Sequence, residues 1–320
     1  MLAGQEIVWV TGTHGFIGRH ISRTLASKGH FVAGLGHGAW PEMEAAVWGV
    51  SAWLNGDIAA SNLGQLQRLS GSPKTIYHLA GGSSVGAAIA QPREDFARTV
   101  SSTAELLEWV RQYTPNTRIV AISSAAVYGS DHEGPIREDA LLTPYSPYGY
   151  HKRMMEDLCR SYGASFGLAF AIPRLFSVYG AGLKKQLLWD LCSKLAGNNG
   201  EIELGGTGHE IRDWVHVEDV ARAVVACADL ADTSGPVVNI GSGEPLTVRD
   251  VARRMIDAWA IHGHPKRDVV FSGKSRAGDP FSLLADVTRL GSILPCLNHT
   301  TDAGFDAYVG WYLAASRGNV

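Results

Sequence analysis

Short runs of β-branched and aromatic residues alternate with longer amphipathic stretches through the first half of the chain. The runs are Ile7-Val8-Trp9-Val10, Phe31-Val32-Ala33, residues 75–79 and residues 118–122. Between them, residues 17–25 and 101–110 repeat apolar side chains at spacings of three and four, the period of a helix that buries one face. This rhythm predicts βαβ units, hence a parallel sheet with right-handed crossovers.

The pattern continues with a helix from Tyr148 to about residue 162, a strand near residues 170–172 and a helix over residues 186–195. A loop with one short strand is predicted for NNGEIELGGTGHE, and a further sheet strand for PVVNIGSG at residues 236–243. No repeat or linker separates these parts, so the chain is expected to leave the sheet and return to it, interleaving two lobes.

With 320 residues, of which 45% are hydrophobic, the chain has ample material for a large core. A formal charge of −3 leaves no electrostatic footprint for nucleic acid or an anionic membrane. No uninterrupted apolar run reaches the ~18 residues of a membrane span. Cys159, Cys192, Cys227 and Cys296 form no CxxC pair, which points to reduced thiols and a cytoplasmic protein without a zinc site. His78, His209 and His216 lack metal-ligand spacing and read as structural, so no metal is expected.

The stretch VTGTHGFIG places Gly12, Gly15 and Gly18 at the junction of the first strand and first helix. Glycines there allow a tight turn, backbone approach to a pyrophosphate and close helix–sheet packing, and the helix N-terminus offers free N–H groups to phosphate. In SPYGYHK, Tyr148 and Lys152 are four residues apart and share a helix face. A nearby ammonium is expected to lower the phenol pKa from its ordinary ~10, fitting Tyr148 to exchange a proton while hydride moves at carbon. Upstream, SSAAVYG brings the hydroxyls of Ser123 and Ser124 to the carboxyl edge of the sheet.

In order along the chain, the glycine turn, HLAG (78–81), SSAAVYG, SPYGYHK, RLFSVYG (174–180), RDWVHVEDVA (212–221) and NIGSG (239–243) resemble the NAD-dependent epimerase/dehydratase family of extended short-chain dehydrogenase/reductases. The resemblance implies an α/β fold: a Rossmann-like, doubly wound parallel sheet of about seven strands with a smaller α/β nucleotide-sugar lobe. The dinucleotide-binding domain is then expected over residues 1–173, with a return at about 213–241, and the second lobe over 174–212 and 242–320. It further implies a catalytic triad of Ser124, Tyr148 and Lys152, with Tyr148 and Lys152 also contacting the cofactor, Lys152 at its ribose. Gly12, Gly15, Phe16, Ile17, Leu35, Gly36, His37, Asp57, Ile58, Leu79, Ala80 and Gly81 are the expected cofactor contacts, with Asp57 toward the adenine. Ser83, Ser124, Ser177, Arg212, Arg276 and Asp279 are the expected substrate contacts, the two arginines facing a diphosphate. A homodimer is also implied.

Within that family, the residues after Ser124 that supply acid and base in dehydratases are Ala125 and Ala126 here, which disfavours dehydration. The reading is a nucleotide-diphosphate-sugar 4-epimerase acting on a UDP-, dTDP- or GDP-sugar. An NADPH-dependent 4-ketosugar reductase is the alternative, ahead of a dehydratase or a non-catalytic cofactor sensor. The acid that accepts the adenosine ribose of NAD would fall near Leu35, Gly36 and His37, where none is present. NAD is the expected cofactor, with NADP left open at this position.

Overall fold

The structure, a computed structural model, describes residues 4–130, 132–197, 200–274 and 281–317. Seven parallel strands make the large sheet: β1 (Ile7–Thr11), β2 (Phe31–Gly36), β3 (Ala52–Asn55), β4 (Thr75–His78), β5 (Arg118–Ala121), β6 (Phe170–Leu175) and β7 (Val237–Ile240). Their order is β7-β6-β5-β4-β1-β2-β3, and Ser123–Ser124 adds an eighth, two-residue strand beside β6. The order reverses between β1 and β4. Ligands of open α/β sheets bind in the crevice beyond the carboxyl ends of the strands at such a point.

Both faces of the sheet are covered, which explains why its strands are apolar on successive residues rather than on alternate ones. Val8, Val10, Val32, Val120 and Ala171 pack on one side with Ile21 and Leu25 of helix Phe16–Ser27 and with Val220 and Val224 of helix Val217–Cys227. Trp9, Ala33, Ile76 and Ile119 pack on the other with Leu63, Leu106, Leu107 and Met155, from helices Ala60–Ser70, Ser102–Tyr113 and Pro147–Phe166. Trp9 is fully buried, and its indole N–H donates to Ser70 Oγ at 2.9 Å.

A second core joins helices Gln186–Ala196, Val248–Ile261 and Thr301–Arg317 to the parallel pair Ile202–Leu204 and Val269–Phe271. A smaller sheet, Pro245–Thr247, Ile211–His216, Ser282–Ala285 and Pro135–Ile136, runs beside it, and Ser177–Tyr179 pairs with Ile211–His216. Helix Thr288–Ile293 packs through Leu290 on the large-sheet core, so the stretch after residue 242 does not all lie with the second core.

Candidate active site

Beyond β1 the chain turns at Gly12, whose φ is +70° and whose N–H donates to the Leu35 carbonyl at 2.7 Å. A Cβ on Gly12 would come within 3.0 Å of the Ala80 nitrogen. On Gly15 it would lie 3.0 Å, and on Gly18 2.3 Å, from the Gly12 oxygen. The three glycines are thus packed backbone against backbone. Gly15 caps helix Phe16–Ser27 without any side-chain bond, leaving the first N–H groups directed at the crevice. Thr11 ties the neighbouring strand in: its hydroxyl meets His78 Nδ1 at 2.8 Å and accepts from the N–H groups of Leu79 and Ala80 at 3.1 Å each. His78 is closed on its other side by Thr103 at 3.1 Å, and burial drives its pKa down to about 3, so it is a neutral structural histidine.

Helix Pro147–Phe166 begins with Pro147 and is capped by Ser146, whose Oγ accepts from the Gly149 N–H at 3.2 Å, a cap typically worth ~1 kcal/mol. This start fixes the rotation of the helix and turns Tyr148 and Lys152 into the crevice. Lys152 is buried, and its ammonium donates to the Ile122 carbonyl at 2.8 Å. Burial lowers its pKa to about 8 against the opposing pull of Asp95 and Glu156. The expected lowering of the Tyr148 pKa does not hold. Burial, together with the Asp95 charge, raises it above its ordinary value, while a hydrogen bond with Ser124 acts in the other direction. Burial therefore opposes the ionisation that proton exchange requires, and the Ser124 hydrogen bond favours it.

Ser123 and Ser124 take different parts. Ser123 donates to Glu156 Oε1 at 2.6 Å, inside a buried network in which Arg174 meets the same carboxylate at 2.9 and 2.7 Å and the Tyr128 hydroxyl at 2.9 Å. Ser124, half-buried and beside Tyr148, is the hydroxyl left to face a ligand.

These groups line one cavity of about 1480 Å³, larger than the ~300–1,000 Å³ of most single-ligand pockets. Its wall includes Gly12, Gly15, Phe16, Ile17, Gly36, His37, Asp57, Ile58, Leu79, Ala80 and Gly81, and further along Ser83, Ser124, Tyr148, Lys152, Ser177 and Arg212. Leu35 is different: it is fully buried among Trp9, Leu63 and Leu66, because the residue before Gly36 points back into the sheet core. Only its carbonyl serves the site, by holding Gly12. Arg276 and Asp279 lie outside the described residues.

At the adenine end expected from the motif, His37 Nε2 and Asp57 Oδ1 are 3.0 Å apart, both well exposed. Asp57 follows β3, so it approaches His37 from the neighbouring strand and not from the end of β2. Asp95 had no sequence signal. It is buried, with Oδ2 2.5 Å from His151 Nδ1, and it lies so close under Gly82 that a Cβ there would overlap it. Lys185 also enters the cavity wall, next to Gln186, the one non-glycine residue with positive φ (66°) among the described residues.

His216 did not stay an isolated histidine. Its ring stacks on His299 at 3.9 Å, and donor atoms of His216, Glu218 and His299 lie within 4.8 Å of one another. The His299 Nδ1 already bonds Asp219 at 3.0 Å, and near-parallel rings direct their lone pairs side by side instead of at one point.

The model of the NAD dependent epimerase/dehydratase family matches residues 8–241, spanning the glycine turn, Ser124, Tyr148, Lys152 and the return of the chain into β7. The chain belongs to the NAD dependent epimerase/dehydratase family. It is 30% identical over 309 residues to the UDP-glucose 4-epimerase of Azospirillum brasilense, covering 90% of this chain and 86% of the relative. Among solved structures it resembles MoeE5 in complex with UDP-glucuronic acid and NAD, with a TM-score of 0.83, 30% identity and coverage of 96% and 99% of the two chains. It also resembles the UDP-glucuronic acid 4-epimerase of Bacillus cereus in complex with UDP-glucuronic acid and NAD, with a TM-score of 0.83, 26% identity and coverage of 97% and 99%. Ala125 and Ala126 follow Ser124 in SSAAVYG, where methyl groups transfer no proton, and Ser177 stands in RLFSVYG.

Proposed function

We propose that this protein is a UDP-sugar 4-epimerase that works with a retained NAD. The observation that carries the reading is the convergence of Ser124, Tyr148 and Lys152 on a cavity whose other end is the glycine cradle. The cradle fits a dinucleotide: backbone contacts that a Cβ would fill surround Gly12, and unspent helix N–H groups face the same space. Gly12, Gly15, Phe16 and Ile17 would hold the pyrophosphate, His37 and Asp57 the adenosine end, and Lys152 the second ribose. A carboxylate at the adenosine end favours NAD over the more anionic NADP. When bound, NAD supplies a reversible hydride acceptor.

The chain's own residues do the rest. Ser124 would orient the sugar oxygen, Tyr148 as the phenolate would take the hydroxyl proton and later return it, and the Lys152 ammonium would favour the phenolate against burial. Arg212, whose Nη1 also donates to the Ile211 carbonyl at 2.8 Å, would face the diphosphate, with Arg276 and Asp279 proposed beside it on sequence alone. Exposed Tyr150 and Met154, one helical turn apart, and exposed Phe96 support homodimerisation through helix Pro147–Phe166. Free cysteines at all four positions accord with a cytoplasmic setting, and among the described residues no helix is long and apolar enough to cross a membrane.

The test is to denature the purified protein and quantify released dinucleotide, alongside interconversion of UDP-glucose and UDP-galactose or of the two uronate epimers. Near-stoichiometric NAD with epimerisation is the expected result. An empty protein that consumes NADPH with a 4-ketosugar overturns it.

A further inference from the structure

The charged groups around the cavity are mostly matched. His37 faces Asp57, Arg98 pairs with Glu94, and Lys194 pairs with Asp190 at 2.8 Å. Glu210 is occupied by the N–H groups of Thr207 and Gly208 at 2.7 and 2.9 Å. Lys185, like Lys152, is held by neutral oxygen instead. Its ammonium reaches across from the second lobe to Ser83, donating to Oγ at 3.2 Å and to the carbonyl at 3.3 Å, and no carboxylate partners it among the described residues.

The position of this pair selects what it would read. Ser83 follows Gly81 by two residues, and a Cβ on Gly81 would lie 3.3 Å from Lys152 Nζ. Lys185 and Ser83 therefore belong to the reacting end of the cavity, where the sugar ring must lie if Tyr148 is to reach it. A cation placed there without a counter-charge, and bonded meanwhile to neutral oxygens, is suited to an anionic substituent on the ring. Desolvation lowers the Lys185 pKa, and an arriving anion would act against that lowering.

Resting on the epimerase reading, we propose that Lys185 and Ser83 form a carboxylate subsite, and that the substrate is a nucleotide-linked hexuronic acid carrying its carboxylate at C6. The ammonium and the Ser83 hydroxyl take the two carboxylate oxygens, and a neutral hexose leaves the ammonium on Ser83 alone.

The experiment compares kcat/KM for UDP-glucuronic acid and UDP-glucose in the wild type, Lys185→Gln and Lys185→Arg. The wild type should prefer the uronate. Lys185→Gln should cut that preference by a factor on the order of 10 to 100, the usual strength of a charge-assisted hydrogen bond, with Lys185→Arg retaining most of it. An unchanged preference ratio in Lys185→Gln overturns the proposal, whether because nothing changes or because both substrates and free UDP weaken equally, which would place Lys185 on the diphosphate. A wild-type preference for UDP-glucose overturns it as well. Equilibrium binding of both UDP-sugars to the NAD-loaded Tyr148→Phe protein reads the same ratio without turnover. A failed epimerase assay with an intact binding preference thus faults the reaction, and a lost preference with intact epimerisation faults the subsite.

Discussion

Replacing Tyr148 by Phe removes one oxygen and leaves the ring. The phenol lines the cavity and its structural neighbours are the Ser146 cap and the buried face of helix Pro147–Phe166, neither of which uses the hydroxyl. The fold and the glycine cradle should therefore survive, and bound NAD should remain. The catalytic loss should be large, because the other titratable groups near the reacting oxygen are committed elsewhere: Lys152 to the Ile122 carbonyl, Asp95 to His151 and Glu156 to Arg174. General acid–base catalysis contributes ~10²–10⁴-fold, or about 3–5 kcal/mol of barrier, so kcat should drop by that factor with KM little altered. The assay is steady-state epimerisation followed by NMR of the sugar anomeric protons, with NAD content and thermal unfolding as controls for the fold. Turnover within about threefold of wild type, on a protein that still holds NAD, would refute the assignment of Tyr148 as the proton carrier.

Arg174→Met should destabilise the protein by roughly 3–5 kcal/mol by stranding the buried Glu156 carboxylate, and a denaturant midpoint near wild type would contradict the weight given to that pair. Gly18→Ala should gain helix propensity of about 1 kcal/mol yet lose more, since its Cβ would fall 2.3 Å from the Gly12 oxygen. Both lowered stability and faster NAD release are expected, and a more stable variant with normal retention would argue against the backbone packing. Lys152 sheds its proton near pH 8 when folded, against an ordinary 10.5. Below pH 8 both states carry the proton. Between about 8 and 10.5 the unfolded chain holds more, so this group's contribution to stability rises with pH, by up to ~3 kcal/mol. Chemical unfolding of the NAD-free protein across that window should show the slope, and Lys152→Met should remove it.

Much of this molecule was legible along the chain. Apolar runs such as Ile7-Val8-Trp9-Val10 mark strands buried on both faces, because period and residue type are local properties of the backbone. Tyr148 and Lys152 line the same cavity because a helix repeats every 3.6 residues, and Gly12, Gly15 and Gly18 stand where a strand passes into a helix. The helix itself starts at Pro147 behind the Ser146 cap, one residue before the expected Tyr148.

What the chain order left open is settled by groups that meet from far apart. Leu35 turns into the core while Gly36 and His37 line the cavity, since packing decides which face each residue of β2 presents. Ser123 is drawn to Glu156 and Ser124 left to the ligand, a division between two identical neighbours that only the helix packed over them makes. Asp95 and His151, or Ser83 and Lys185, approach across 56 and 102 residues. No local period links such pairs. Sequence alone thus determined which elements form and which chemistry they carry. The tertiary structure decided the electrostatics, because burial, which pushes Tyr148 up and Lys152 down, and distant charges such as Asp95, which raise both, depend on what the fold places around each group.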